Sequence, residues 1–377
     1  MNEQPAIGAY PRIRVSGDAA ERSHQYGEQA AARIALIRDG YERAFAAKGI
    51  DWVGATRIAR RYLPAIEQYA PHLLEELRGI AEGSGLTFDE ILVINSRSEI
   101  LSSATRAKGA ELARFVGECT SFAIEADRAP TGEAVVGQNW DWLESLQDGV
   151  ILLEVERTDG PNYVTLVEAG LLGKMVLTQN GVALGMNTLV TSRDAVTDGI
   201  PYHLQIRALA DAQHVPHALE ILGGMPRATS GNFVLSDTSG AVLDIESSPG
   251  GPRNLTPIGA AEGTLSHANH FVEPVADGHD LAPISMPDSY VRLGRLRRHL
   301  GVVGGVFSEA ELQAALRDHV GYPNSVCCHP DMGSGPNERW KSLAAVLLSP
   351  KSRVLRYTAG PSCENEWNAI DYAELLG

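Results

Sequence analysis

Along the first hundred residues, apolar positions recur at steps of three and four, the period of a helix with one buried face. Ala19 to Lys48 is rich in Ala, Arg, Glu and Gln, and Gly49 supplies a stop. From Arg57 to Glu82, Ile58, Tyr62, Ile66, Tyr69, Leu73, Leu77 and Ile80 fall on one face, with Pro64 and Pro71 breaking or kinking it. Thr87 and Glu90 form a capping box that opens another helix through Ile91, Leu92 and Ile94. Residues 102–117 are polar and weakly periodic, the pattern of a connector.

At Cys119 the period changes from helical to alternating. Thr120 to Glu125, the turn Pro130-Thr131-Gly132 and Glu133 to Gly137 predict a hairpin. A second runs from Ile151 to Glu156, through Asp159-Gly160, to Tyr163 through Glu168. A third joins Met175–Thr178 to Val182–Asn187 through Asn180-Gly181, the strongest hairpin signal in the chain. Helices follow at Tyr202–Ala212 and Val215–Leu222, then a hairpin of Asn232–Ser236 and Ala241–Ser247. Ser289–Leu300 and Ser308–His319 read as helices, the second opened by Ser308 and Glu311, and strands close the chain at Leu343–Ser349 and Val354–Thr358. Strands grouped in hairpins with helices between the groups predict an α+β fold with antiparallel sheets, not a parallel βαβ sheet.

Composition narrows the class. The chain has 377 residues, 44% hydrophobic and 21% charged, as expected of a globular protein with a large core. Its formal charge of −15 disfavours a nucleic-acid partner. No apolar run is long enough for a spanning helix, so no membrane partner is expected. The first residues lack the basic and apolar regions of a standard secretion signal, which makes cytoplasmic residence the default expectation. Four cysteines in a chain of this length exclude a disulfide scaffold.

The sharpest local feature is Cys119, in Gly117-Glu-Cys-Thr-Ser-Phe122, where the helical half meets the first hairpin. A lone cysteine most often fills a core position as a small thiol. Here the second strand of the hairpin continues into Gly137-Gln-Asn-Trp-Asp-Trp142. Further on come His267-Ala-Asn-His270, Pro287-Asp-Ser-Tyr-Val-Arg292 and Arg339 ahead of the final hairpin.

This series resembles the penicillin acyltransferase-like cysteine peptidase family, typified by acyl-CoA:6-aminopenicillanate (isopenicillin N) acyltransferase, within the N-terminal nucleophile (Ntn) hydrolases. The resemblance implies an αββα four-layer sandwich with antiparallel sheets. It also implies a precursor in which the Cys119 thiol attacks the carbonyl of Glu118 and cuts the chain there. Residues 1–118 would then form a mostly helical α chain and residues 119–377 a nucleophile-bearing β chain, associated as one domain. The freed α-amine, with an ordinary pKa of roughly 7.7–8, would serve as general base for its own thiol. Familiar members of the family carry glycine before the cysteine, whereas this chain has Glu118, which lacks glycine's conformational freedom.

The resemblance assigns Asp141 to orienting the nucleophile and its amine, and Asn269 to the oxyanion hole, where a neutral donor suits the chemistry. It places Arg339 near the site, with Lys341 as a substitute, to hold Asp141 or a substrate carboxylate. Trp140 and Trp142 read as core or as pocket wall, with His270 as a further pocket residue. His267 and His270, an i, i+3 pair without a supporting carboxylate or cysteine pattern, read as satisfied histidines rather than metal ligands. Ser289 and Arg292 lie on a basic helix with Arg295, Arg297 and Arg298, the pattern of a solvated face. Cys327-Cys328-His329 and Cys363 read as buried or incidental thiols, and Asn232 as turn chemistry. The Gly301–Gly305 segment lacks a Walker lysine, so no nucleotide site is expected. No cofactor and no metal are expected.

The expectation is a self-processing cysteine amidohydrolase or N-acyltransferase acting on a small amide or acyl-CoA thioester through a Cys119 acyl-enzyme. The cleaved chains are expected to stay associated, and a higher oligomer is allowed. Two alternatives stand beside it. One is an uncleaved thiol hydrolase with His270 or His267 as base, and the other an inactive binding protein on the same fold.

Overall fold

The computed structural model describes residues 8–107, 118–194, 198–301 and 304–377. After a short strand β1 (Arg12–Gly17), the first third of the chain is helical: α1 (Ala19–Ala47), α2 (Trp52–Arg60), α3 (Leu63–Tyr69), α4 (Pro71–Ser84), α5 (Phe88–Asn95) and α6 (Arg97–Ala107). Asp18 with Glu21 and Thr87 with Glu90 close capping boxes on α1 and α5. Pro64 and Pro71 stand in the first turns of α3 and α4, where a missing N–H costs no helical bond, so they start helices instead of bending one. Residues 102–107 continue α6 instead of forming a connector, and residues 108–117 of the expected connector lie outside the described residues.

The strands follow as β2 (Glu118–Ile124), β3 (Val135–Leu143), β4 (Val150–Arg157), β5 (Tyr163–Glu168), β6 (Met175–Thr178) and β7 (Val182–Thr188). Gly181, at φ 74°, takes the left-handed turn between β6 and β7. Then come α7 (Tyr202–Leu209), α8 (Val215–Gly223), β8 (Gly231–Asp237), β9 (Val242–Ser247), β10 (Leu255–Gly259) and β11 (Thr264–His267). The chain ends with α9 (Ala282–Ser285), α10 (Asp288–Leu300), α11 (Glu309–Ala315), β12 (Trp340–Ser349), β13 (Val354–Tyr357), β14 (Asn368–Asp371) and α12 (Ala373–Leu376). Ser308 and Glu311 cap α11 as expected, but that helix ends at Ala315, short of His319.

Among the described residues the strands form two sheets. One has the order β1-β4-β5-β6-β7-β8-β9-β10 and the other β11-β2-β3-β12-β13-β14. Every neighbouring pair is antiparallel except β1 with β4. The sheets pack face to face through β2 and β3 against β7 and β8. The early helices cover the first sheet, and α10 and α11 cover the second. This is the four-layer αββα sandwich with antiparallel sheets that the resemblance implied. Alternation sorts β2 into two faces. Cys119, Ser121 and Ala123 turn toward the other sheet, while Phe122 and Ile124 pack under α10 and α11 with Leu296, Leu312 and Leu316. Phe122 lies flat over Gly137, where an added Cβ would come within 2.1 Å of its ring.

Four edge or near-edge strands, β1, β10, β11 and β14, go beyond the sequence expectation. In β1 Arg12 and Arg14 alternate with buried Ile13 and Val15 and reach across to Glu154 and Glu156 on β4. No helix of the described residues is long and apolar enough to cross a membrane.

One buried ion cluster binds the two halves of the chain. Glu76 on α4 receives Arg22 from α1 at 2.7 Å and Arg207 from α7 at 2.7 Å. Burial alone would push the Glu76 carboxyl up, but Arg207 and Arg22 together hold it below its usual value. Glu76→Gln removes the buried carboxylate that two guanidinium groups share, leaving Arg22 with Asp159 at 2.8 Å and Arg207 with Asp211 at 3.4 Å. The variant should lose about 3–5 kcal/mol, read as a lower urea midpoint at neutral pH.

Candidate active site

Cys119 begins the second residue of β2 and is 2% exposed, facing the other sheet beside Trp140 on β3. On its other flank β11 runs antiparallel, with His267 across from Ser121, so the chain just beyond β11 passes Cys119. That register delivers Asn269. Its Oδ1 accepts the Cys119 backbone N–H at 2.8 Å, and its Nδ2 donates to the Thr188 carbonyl at 2.8 Å. The amide orientation is fixed, since Arg292 also donates to Oδ1 at 2.9 Å. Asn269 is therefore at the cysteine, but as an acceptor for its nitrogen. One N–H of its Nδ2 goes to Thr188 and the amide carries a second.

Arg292 is fully buried and overturns the solvated-face reading of its helix. It donates to the Cys119 carbonyl at 2.8 Å and to Thr120 Oγ1 at 2.9 Å, while its Nε pairs with Asp288 at 3.0 Å. Ser289, one turn earlier, is buried as well. Its Oγ accepts from the Asn269 backbone N–H at 2.7 Å and lies 2.7 Å from His270 Nδ1. A spacing of three turns Ser289 and Arg292 to the same inward face, whereas Arg297 and Arg298 are exposed as expected.

The ladder sets Asp141 directly across from Glu118. Asp141 Oδ1 accepts from Ser342 Oγ at 2.5 Å, and Ser342 Oγ in turn accepts the Cys328 backbone N–H at 3.0 Å. Burial pushes the Cys119 thiol up to about 11. Lys174 and Arg292 pull against this, and so does hydrogen bonding from the Asp141 backbone, whereas the Asp141 carboxylate adds to it. Lys174, which sequence reasoning missed, is buried with Nζ 4.0 Å from the Trp140 ring centre and 3.3 Å from Glu168. Burial brings its ammonium down to about 7 against the pull of Glu168. The only signal in the sequence is a solitary lysine in the apolar stretch Gly170-Leu-Leu-Gly-Lys-Met-Val176.

Asn187 was also missed. Its Oδ1 accepts from Ser121 Oγ, two residues from Cys119 on the same face, and its buried Nδ2 has no partner among the described residues. Trp140 and Trp142 are buried platforms for cations, Trp142 lying 3.8 Å from the Arg97 guanidinium. The neighbouring Leu143 and Trp340 line a cleft of about 190 Å³ with Ala44, Lys48 and Asp331. Arg339 stands in the loop before β12, its Nε donating to the Ser334 carbonyl at 3.3 Å, and Lys341 faces Glu144 at 3.8 Å. Arg292 places a guanidinium at the cysteine itself. His267 is satisfied on both ring nitrogens, by Glu246 at 2.9 Å and the Ala268 carbonyl at 2.8 Å. Asn232 is a buried strand residue whose Nδ2 donates to Asp244, not a turn.

A family model described as acyl-coenzyme A:6-aminopenicillanic acid acyl-transferase matches residues 128–362, more than half of the chain. The chain belongs to that family. It is similar to the 40 kDa form of acyl-coenzyme A:6-aminopenicillanic-acid-acyltransferase of Emericella nidulans, with 27% identity over 72% of this chain and 71% of the relative. Among solved structures it is similar to conjugated bile acid hydrolase from Clostridium perfringens, at 13% identity and a TM-score of 0.46. That likeness covers 69% of this chain and 94% of the hydrolase. Penicillin V acylase from Agrobacterium tumefaciens is similar at 10% identity and a TM-score of 0.34, over 69% of this chain and 80% of the acylase. Asp141, Asn187, Asn269, Arg292 and Arg339 lie inside the acyl-transferase family match, and Cys119 precedes its first residue.

His270 stacks on Tyr290 at 3.9 Å, and burial, with His267 and Arg292 adding to it, lowers its pKa to about 4 from 6.5. It stays neutral in the folded chain, so unfolding takes up a proton between pH 6.5 and 4, and stability falls as the pH drops through that window. His270→Gln removes this contribution. Its urea midpoint should decline less over the same pH range than that of the unaltered protein.

Proposed function

We propose that this protein is a self-processing cysteine enzyme that forms an acyl-enzyme at Cys119 and uses the freed α-amine of that residue as general base. The observation that carries the reading is the 2.8 Å hydrogen bond from the Cys119 nitrogen to Asn269 Oδ1. The atom that would become the amine already has an acceptor, and Arg292 fixes both that acceptor and the Cys119 carbonyl. The intact chain is ill suited to direct thiolate chemistry, because its thiol sits at about 11. A base is needed, and the histidines of the His267–His270 motif are committed to Glu246, Ala268 and Ser289. This favours the amine over an uncleaved thiol hydrolase with a histidine base.

In the proposed maturation, Cys119 Sγ attacks the Glu118 carbonyl carbon and the Glu118–Cys119 C–N bond breaks as the nitrogen takes up a proton. Water then hydrolyses the resulting thioester between the Glu118 acyl carbon and Cys119 Sγ, giving the Glu118 carboxylate and a free thiol. In turnover the amine receives the thiol proton while sulfur attacks the substrate carbonyl, and returns it to the departing amine or thiol. Water or an acceptor amine then takes the acyl group. Asn187 Nδ2 is the neutral, unpartnered donor suited to the tetrahedral oxyanion. Asp141, across from Glu118, orients the cut ends. The family and the acyltransferase relative support a small amide or an acyl-CoA thioester as substrate. The chains formed by residues 1–118 and 119–377 would stay together, since Glu76–Arg207, Arg97–Glu168 and the β1–β4 ladder cross that border.

Intact-mass measurement tests the reading. Two chains meeting at Cys119 are expected, and a single uncut chain for Cys119→Ala. One full-length species that nevertheless takes an acyl group on Cys119 would overturn the amine-base mechanism in favour of an ordinary thiol enzyme. In processed protein, Asn187→Ala should slow acylation of Cys119 by acetyl-CoA about 10²–10³-fold in single-turnover mass measurements.

A further inference from the structure

The structure gathers His319, Cys327, His329 and Cys363 so that one ligand atom from each lies within 4.8 Å of the others. His319, Cys327 and His329 come from the loop after α11, and Cys363 from the segment between β13 and β14. We infer that these four side chains form a structural zinc site of Cys2His2 type, outside the acyl-transfer machinery.

The distances carry the assignment. A tetrahedral zinc with Zn–S near 2.3 Å and Zn–N near 2.0–2.1 Å requires S···S of about 3.8 Å, S···N of about 3.5 Å and N···N of about 3.3 Å. Here Cys327 Sγ and Cys363 Sγ are 3.6 Å apart. His329 Nε2 lies 3.7 Å from Cys327 Sγ and 3.3 Å from Cys363 Sγ, and 3.1 Å from His319 Nε2. Each separation is that of two ligands on one ion.

The surroundings fit as well. His329 Nδ1 faces Glu364 at 3.3 Å, an arrangement that puts the ring proton on Nδ1 and leaves the Nε2 lone pair aimed at the cluster. Ser362 Oγ donates to the Leu316 carbonyl at 3.0 Å and lies 3.9 Å from Cys327 Sγ. Sulfur and imidazole in a tetrahedral set select zinc over magnesium or calcium, and four protein ligands leave no open position for substrate or water. The site is therefore a clamp. Cys328, between two of the ligands, donates its backbone N–H to Ser342, which holds Asp141. Val326 and Leu316 receive the Asn139 amide through their carbonyls. The clamp would fix this loop against the outer face of β3 and β12.

The test uses untagged full-length protein, purified without chelator or added metal and measured by inductively coupled plasma mass spectrometry. About one zinc per chain is expected, and removal followed by Co²⁺ addition should give thiolate charge transfer with the intense visible bands of tetrahedral cobalt. Cys363→Ser and His319→Gln, both at exposed positions, should each lower the zinc content at least tenfold while far-UV circular dichroism is kept. If either variant fails to fold, zinc content and the cobalt spectrum of the unaltered chain decide the matter. Less than about a tenth of an equivalent in that chain, whether with two free thiols or with a Cys327–Cys363 disulfide by mass, would overturn the assignment. So would full retention of zinc in both folded variants.

Discussion

A single buried guanidinium organises the neighbourhood of Cys119. Taking the Arg292 charge out of water is costly unless every N–H finds an acceptor, and the fold supplies Asp288, Thr120, the Cys119 carbonyl and Asn269. Those partners come from a helix, a strand and the loop beyond another strand. Satisfying one side chain therefore locks three separate segments into register. The same bonds decide which way the Asn269 amide points, and through it what the nitrogen of Cys119 meets.

Around that anchor, charge is arranged in two tiers. On the inner side Lys174, Glu168 and Arg97 form a buried series capped by the rings of Trp140 and Trp142. On the outer side Asp141 is held by Ser342, whose Oγ accepts the Cys328 backbone N–H. β3 runs between them, its successive residues turning alternately to each tier. Trp-Asp-Trp thus does two jobs with one alternation, since its aromatic residues cover cations while its carboxylate faces the other way.

Much of this was readable in the sequence where the determinants are local. Asn180-Gly181 fixed a turn, Thr87 with Glu90 fixed a helix start, and the motif around Cys119 pointed to Asp141 and Asn269. What escaped is non-local. Arg292 looked like one of a run of solvated arginines because a helix's inward side is decided by what it packs on, not by its own charges. β1 and β11 were missed because edge strands carry polar residues on their open side. Arg339, expected near the site from the family resemblance, stands half-buried in the loop before β12, on the Ser334 carbonyl. Cys363 is far in sequence from Cys327, and only the β12–β13 turn returns it to the loop after α11.

The parallel pairing of β1 with β4 has a consequence for how such a molecule ages. The first strand of the chain forms one edge of the sheet built by later residues, and the early helices cover that sheet. A continuous polypeptide assembles this arrangement as a single body, whatever its dilution. Two separate polypeptides severed ahead of β2 would have to find each other before either could complete its layers, so their reassembly would depend on concentration. Any nick there is safe only after folding is finished, and a molecule once nicked and then melted would have little prospect of return.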